Sequence, residues 1–369
     1  MKIQAAITPA ANAPFTLAEV ELDAPRPDEV LVRIVGAGLC HTDLVAAEGM
    51  MPIALPAVLG HEGAGVVEQV GAQVTKVQPG DAVAITFTSC GHCPRCASHE
   101  PAYCHAMGQL NFTGLRADGS RSLVAGGQRI SGSFFGQSSF ATHALASERN
   151  VVKVAPGVPL EIAGTLGCGV QTGAGAIMRS LQCPAGSSLL ITGGGAVGLS
   201  AVMGAVIQGC AHVVVLEPNA ARREMALSLG ATLAIDPRAE ADWVAAVRAV
   251  LPTGVDFMLD TSGIPAVIER VPQLLAPKGT FGFVGVPPAH AADLALPGTL
   301  REAMRSGFTY RGIIEGDSDP DTFIPQLMAL YLQGRFPFDR LVTTYPLADI
   351  NRAVAEQQQG LCIKPVLLP

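Results

Sequence analysis

The sequence predicts a mixed α/β plus β fold, in which a β-rich domain is interrupted by a doubly wound parallel sheet with flanking helices. Three observations predict it. A chain of 369 residues exceeds what one hydrophobic core usually supports. Residues 1 to about 171 run in short apolar, β-branched stretches broken by Gly, Pro and Asp, the texture of short strands and turns. From 172 to about 312 strand-like and helix-like stretches alternate, which implies a parallel sheet. Residues 313–369 return to mixed texture and end in "CIKPVLLP", so they are expected to rejoin the first domain.

Each element follows from its pattern. In the first part, "EVLVRIVGAGLC", "AGVVEQVGAQVTKVQPGDAVAITF" and "FATHALASERNVVKVA" carry the strands. In the second, "SSLLIT" reads as a strand and "AVGLSAVMGAVIQG" as a helix, then "HVVVLE" as a strand and "NAARREMALSLG" as a helix. "ATLAID" is a strand, "AEADWVAAVRAVL" a helix, and "VDFMLDTS" a strand. "IPAVIERVPQLLA" reads as one helix and "GTFGFVGV" as the strand after it.

Composition excludes several classes. The chain is 49% hydrophobic and only 15% charged, which suits a large buried interior and not a disordered chain. A net charge of −7 with no clustered Lys/Arg stripe excludes nucleic acid as an expected partner. "MKIQAAITPA" lacks the long apolar core of a secretory signal, and the most apolar windows carry glycines that a phosphate-binding turn explains better than a membrane span does. The expectation is a soluble cytoplasmic protein. Thiols stay reduced there, so clustered cysteines point to metal before disulfide.

"SSLLITGGGAVGLSAV" places Gly193, Gly195 and Gly198 in G-x-G-x-x-G spacing, after a strand and opening a helix. The first glycine permits the tight turn, the second lets backbone N–H groups approach a pyrophosphate, and the third lets helix and strand pack closely. Glu217, at the end of "HVVVLE" and nineteen residues after Gly198, can accept hydrogen bonds from a ribose 2′-hydroxyl. A carboxylate there repels a 2′-phosphate and favours NAD over NADP, a preference that Arg222 and Arg223 soften.

"CGHCPRCASHEPAYC" crowds Cys90, Cys93, Cys96 and Cys104 into C-x2-C-x2-C-x7-C. Four thiolates in one loop can close tetrahedrally round a structural zinc with no open position; an iron–sulfur cluster is the competing reading. His92, His99 and His105 are read as surface histidines. A second, dispersed set comprises Cys40, His61 and Cys168. Two thiolates and an imidazole leave a fourth position open, as in a catalytic zinc site, although each cysteine taken singly reads as a buried small hydrophobe.

Together "CHTDL", "GHEGAGVVEQVG", the four-cysteine loop, "GCGVQTGAG" and "GGGAVG" resemble the zinc-dependent medium-chain alcohol dehydrogenases over essentially the whole chain. "CHTDL" and "GCGVQTGAG" most resemble the aryl (benzyl) alcohol dehydrogenases. The resemblance implies a GroES-like catalytic domain over 1–171, an NAD-binding Rossmann domain over 172–312, and a return to the catalytic domain over 313–369. It implies two zincs per subunit: a catalytic one on Cys40, His61 and Cys168, and a structural one on Cys90, Cys93, Cys96 and Cys104. Glu62 matches the acid beside the catalytic zinc, Asp43 the carboxylate that orients the ligand histidine, and Thr42 the hydroxyl that takes the alcohol's proton. Thr172 and Val197 match residues packing on the nicotinamide. Lys364 and His41 match basic positions facing the phosphates, and Val284 a further cofactor position. The liver-type relay ends in a histidine where this chain has Val45, so the outer proton path must differ, running through the ribose or His41.

The activity implied is NAD-dependent, reversible oxidation of a bulky apolar primary alcohol to its aldehyde, benzyl or aryl alcohols first and terpenoid alcohols of the geraniol type as an alternative. Phe87, Met51, Leu110 and Phe112 are candidate pocket walls. The glutathione-linked formaldehyde dehydrogenases are a second alternative; they grip glutathione with a basic residue after the fourth structural cysteine, where Gly108 falls and Arg116 lies further on. A non-catalytic role would show as a lost zinc ligand or a lost Thr42, and none is lost. The resemblance also implies a homodimer or homotetramer.

Overall fold

Gly and Pro cut the first part of the chain into short strands. In the computed structural model, which describes residues 1–240 and 242–369, those strands pair into two sheets. Met1–Gly169 and Ser318–Pro369 form one unit, and Val170–Asp317 a second. In the first unit a five-stranded sheet runs in the order Ala57–Val58, Lys2–Thr8, Thr16–Leu22, Leu123–Ala125, Gln128–Ile130. The other sheet centres on Glu29–Gly38, which pairs antiparallel with Glu62–Val70, His143–Ser147 and Lys364–Leu368. Arg33 is the only exposed residue of that strand, as expected of a strand with neighbours on both edges and a covered face.

Register in this sheet positions the site. Gly38 pairs with Glu62, so the chain leaving the central strand toward Cys40 runs beside His61 and Glu62. Leu39 N–H donates to the Pro365 carbonyl at 2.9 Å, which brings Lys364 to the same place from the C-terminal strand.

The second unit is a six-stranded, all-parallel sheet. Its order is Leu233–Ile235, His212–Leu216, Ser188–Thr192, Val255–Asp260, Leu275–Phe283, Thr309–Gly312. Strand order therefore reverses between Ser188–Thr192 and Val255–Asp260, the crevice where open α/β sheets bind ligands. Leu190, Val214, Met258 and Phe281 bury one face of the sheet against Val247 and Leu251.

Three expectations need adjusting. The helix expected over 264–276 is two single turns, Pro265–Ile268 and Val271–Leu274, because Pro272 has no N–H to carry a helix through. The helix in "AEADWVAAVRAVL" starts at Trp243, with Asp242 capping it through Ala245 N–H at 3.0 Å; Ala241 lies outside the described residues. The units divide at Gly169/Val170 and Asp317/Ser318, whereas the sequence reading set the boundaries at 171/172 and 312/313. Residues 313–317 stay with the second unit because Glu315 accepts from Thr172 Oγ1 at 3.4 Å and the Asp317 carbonyl accepts from Arg179 at 3.2 Å. Among the described residues no helix is long and apolar enough to cross a membrane.

Candidate active site

The dispersed candidates converge in the first unit. Ligand atoms of Cys40, His61, Glu62 and Cys168 all lie within 4.8 Å of one another. Asp43 organises them. Cys40 caps the short helix His41–Ala47, and Asp43 Oδ2 accepts the Cys40 N–H at 2.9 Å. Asp43 Oδ1 accepts the Gly60 N–H at 3.0 Å and pairs with His61 Nδ1 at 2.8 Å. That pairing fixes the tautomer, so Nε2 carries the free lone pair. His61 is fully buried and its Nε2 has no hydrogen-bond partner. Burial alone would depress the imidazole pKa, but Asp43 and Cys40 together outweigh it and hold the pKa well above its usual value when no metal competes. A buried imidazole nitrogen with no partner, beside two thiols, is the donor set of a soft or borderline cation.

Glu62 and Lys364 form a buried ion pair behind these ligands, with Nζ 2.7 and 2.9 Å from the two carboxylate oxygens. Gly169 N–H donates to Glu62 Oε1 at 3.1 Å. Burial pushes the Glu62 carboxyl up from its usual value while Lys364 pulls it down; Glu62 in turn offsets the desolvation of Lys364 and keeps it charged. Lys364, matched to a phosphate-facing position, is 2% exposed and pairs with Glu62. His41 is exposed on the first turn of the helix, and Thr42 Oγ1 lies 3.7 Å from Cys40 Sγ.

The four-cysteine loop also closes on itself. Cys93 Sγ lies 3.6 Å from Cys96 and 4.0 Å from Cys104, and Cys90 lies 3.9 Å from Cys96. Metal–sulfur bonds of about 2.3 Å in a tetrahedron set sulfurs about 3.8 Å apart. The spacing suits four thiolates on one ion; a disulfide needs about 2 Å, and an iron–sulfur cluster spreads its thiolates over several irons. Backbone N–H groups support the thiolates: Cys90 N donates to Cys104 Sγ at 3.2 Å and Cys93 N to Cys90 Sγ at 3.4 Å. His92, His99 and His105 are exposed, and none is among the clustered ligands. Arg149 fastens the loop through the Ser89 carbonyl at 3.2 Å and its hydroxyl at 3.1 Å.

In the second unit the glycine turn sits at the strand-order reversal. Gly193 has φ +96°, and a Cβ there would lie 2.6 Å from Thr261 Oγ1; a Cβ on Gly198 would collide with the Gly193 carbonyl. A Cβ on Gly195 would meet nothing, so the space beside its N–H is open. Glu217, just past the strand, lays its carboxylate on this turn, accepting Gly194 N–H at 2.6 Å and Asn219 N–H at 2.7 Å. Arg222 flanks Gly194, while Arg223 pairs with Asp236 at 3.1 Å. The helix carrying Thr172 packs through Gly173 onto the carbonyl of Val197, which brings those two cofactor candidates together. Val284 N–H donates to the Asp260 carbonyl at 2.9 Å. Sequence reasoning missed Asp260, whose buried carboxylate accepts from Thr192, Ser262 and Gly263 and shapes the same crevice. An Asp closing an apolar strand in "MLDTS" was its only signal.

Phe87 is buried, and Met51, Leu110 and Phe112 are half-buried. The aromatic rings on the His61 imidazole are instead Phe134 and Phe135, which the sequence reading did not single out; Phe112 joins them. Arg116, the candidate glutathione grip, is buried and held by Glu29 at 2.8 and 2.9 Å and by Asp23 at 2.9 Å. It has no charge to spare for a substrate carboxylate.

Comparison with known proteins agrees with this arrangement. The alcohol dehydrogenase GroES-like domain matches residues 26–156 and the zinc-binding dehydrogenase domain residues 196–332. A geraniol dehydrogenase of Castellaniella defragrans is 50% identical over 366 residues, 99% of this chain and 97% of that protein. An alcohol dehydrogenase zinc-binding domain protein from Burkholderia ambifaria superposes with TM-score 0.96 at 48% identity, covering 100% of this chain and 99% of that one. The benzyl alcohol dehydrogenase of Acinetobacter calcoaceticus superposes with TM-score 0.94 at 39% identity, with the same coverage. The chain thus belongs to the zinc-dependent medium-chain alcohol dehydrogenases, with a GroES-like domain and a Rossmann-type domain.

Proposed function

We propose that this alcohol dehydrogenase oxidises bulky apolar primary alcohols whose carbinol carbon adjoins an sp2 carbon, terpenoid allylic alcohols such as geraniol first and benzyl alcohols second, with NAD+ as acceptor. The balance is alcohol plus NAD+ to aldehyde, NADH and a proton. The observation that carries the reading is the Cys40–His61–Cys168 set with its buried, orphaned imidazole nitrogen. Relatives named for geraniol and benzyl alcohol support the same substrate shape.

Cys40, His61 and Cys168 would hold one zinc, and Cys90, Cys93, Cys96 and Cys104 a second. When bound, the catalytic zinc supplies Lewis acidity toward the alcohol oxygen, and the nicotinamide supplies the hydride-accepting carbon. Around them Asp43 keeps His61 Nδ1 occupied, Thr42 Oγ1 takes the alcohol's proton, and Lys364 holds Glu62 in reserve beside the ligands. Val45 carries no ionisable group, so the proton leaves Thr42 by the cofactor ribose or His41. Both thiolate sets require reduced cysteines, which suits a reducing cytoplasm.

NADH formation with geraniol, benzyl alcohol, ethanol and S-hydroxymethylglutathione, each with NAD+ or NADP+, tests the reading. Expected is the highest kcat/KM with geraniol and NAD+, benzyl alcohol following. Turnover of the glutathione adduct alone would overturn it.

Cofactor choice gives a second test. Glu217 is the group that would accept from the ribose hydroxyls, and each such charged hydrogen bond is worth roughly 1.5–3 kcal/mol. Glu217→Ala is expected to cut the NAD:NADP ratio of kcat/KM about 100-fold, read from parallel kinetics. An unchanged ratio would assign the selectivity elsewhere.

We also propose a homo-oligomer. Leu300 (87% exposed), Met304 (76%) and Val286 (68%) are exposed apolar side chains on the second unit, and Thr309–Gly312 is an edge strand of its sheet. Monomers rarely leave such surfaces uncovered. Leu300→Asp is expected to shift the light-scattering mass toward the monomer; an unchanged mass would place the interface on another face.

A further inference from the structure

Phe135 has a backbone conformation that bulky side chains avoid, φ +51° and ψ +32°, and yet it is buried in the first unit beside the candidate metal ligands. An outlier of this kind persists where the surroundings over-determine it, and it points from strain to use. The use is visible in what the ring touches. Phe135 stacks on the imidazole of His61, ring centroids 4.4 Å apart and planes 25° off parallel. Phe134 meets the same imidazole edge-on at 5.6 Å, and Phe134 and Phe112 brace Phe135 at 4.9 and 5.5 Å.

The same loop grips the main chain on both sides of His61. Gln137 Nε2 donates to the His61 carbonyl at 2.8 Å, and Gln137 Oε1 accepts the Gly63 N–H at 3.0 Å. Ser139 N–H donates to the Gly60 carbonyl at 2.9 Å. Ser138, also in left-handed backbone, closes the loop by accepting Phe134 N–H at 2.9 Å and donating to the Val58 carbonyl at 2.6 Å. Every one of these partners is buried.

We infer that residues 134–139 are a clamp for the metal ligand and that Phe135 is its positioning residue, setting the plane of the His61 imidazole. The inference rests on His61 being a zinc ligand. Asp43 alone cannot set that plane. Its hydrogen bond at Nδ1 fixes one point of the ring and is soft to tilting out of plane, whereas a face-on ring resists tilt directly. Gln137 removes the remaining freedom by fixing the peptides that flank the residue. Groups behind a metal ligand typically change metal affinity 10- to 100-fold when altered.

The test compares Phe135→Leu, which keeps apolar volume but removes the aromatic face, with Phe135→Tyr, which keeps the face. In both, transfer of the catalytic-site zinc to a colorimetric chelator is timed on the folded holoenzyme, and the ligand-field spectrum is recorded after cobalt replaces that zinc. Expected is about 10- to 100-fold faster zinc release and an altered cobalt spectrum in Phe135→Leu, with Phe135→Tyr close to the parent on both. Identical release and spectra in all three proteins would overturn the clamp and leave the zinc assignment standing. A parent protein that holds no more zinc than its Cys40→Ala variant would overturn both together. Should Phe135→Leu fail to fold, Gln137→Met, which removes the contacts to His61 and Gly63, is read in the same way.

Discussion

Cys40→Ala is expected to lower kcat/KM for geraniol by about 10⁴-fold or more while the protein stays folded. Lewis acidity from a bound metal is worth several kcal/mol of transition-state stabilisation, and each 1.36 kcal/mol is tenfold in rate. The thiol supplies one half of the helix's capping box and touches Thr42, but the other half survives the change, since Asp43 accepts the backbone N–H of residue 40 and keeps its bonds to Gly60 and His61. The Glu62–Lys364 pair does not involve the sulfur. Bound zinc should fall from two to one per chain with only a few degrees' loss of melting temperature. Cys96→Ala should do the reverse. The loop from 90 to 104 buries few side chains besides Cys93, Pro101, Ala102 and Cys104, so a metal is what holds it. Losing about 3 kcal/mol there lowers the melting temperature by roughly 10 °C in a domain of this size. Metal analysis and calorimetry on the two variants read the division directly. Equal loss of fold from both would show that neither site is purely catalytic.

What was legible in the sequence depended on how local the physics is. The glycine turn and the four-cysteine loop were legible residue by residue, because a tight strand-to-helix turn and a four-thiolate cluster each demand their residue types at fixed short spacing. Gly193 and Gly198 sit where a side chain would collide, and the four sulfurs stand at tetrahedral spacing. Cys40, His61 and Cys168 were legible only through resemblance, since it is the Gly38–Glu62 register of two antiparallel strands that brings the first two together. The Lys364–Glu62 pair was not legible at all, because it is made by the pairing of the C-terminal strand beside Leu39. Phe135 and Gln137 gave no signal in "SGSFFGQSS", because His61, the residue both of them hold, is more than seventy residues away in the chain. The split over 264–276 had the opposite cause: the local signal, Pro272, was present but apolar periodicity outvoted it.

Thr42→Val is expected to reduce kcat by roughly 10²- to 10⁴-fold, the usual worth of a positioned proton-transfer group, with zinc content unchanged. Valine has nearly the volume of threonine and the same β-branching, so the helix His41–Ala47 and the Cys40 cap should be retained. What disappears is one oxygen, the Thr42 hydroxyl, 3.7 Å from Cys40 Sγ, on a half-buried residue. Thr42→Ser restores that oxygen on a smaller side chain and should recover most of the rate. The pair separates proton transfer from packing: a packing role predicts that serine, which leaves a gap, is the worse of the two, and a proton-transfer role predicts the opposite order. The solvent isotope effect sharpens the distinction, since a step that loses its positioned acceptor becomes limited by proton transfer and should show a larger effect in Thr42→Val than in the parent. Full activity in Thr42→Val, with both zincs bound, would move the proton acceptor to another group, His41 or the cofactor ribose first.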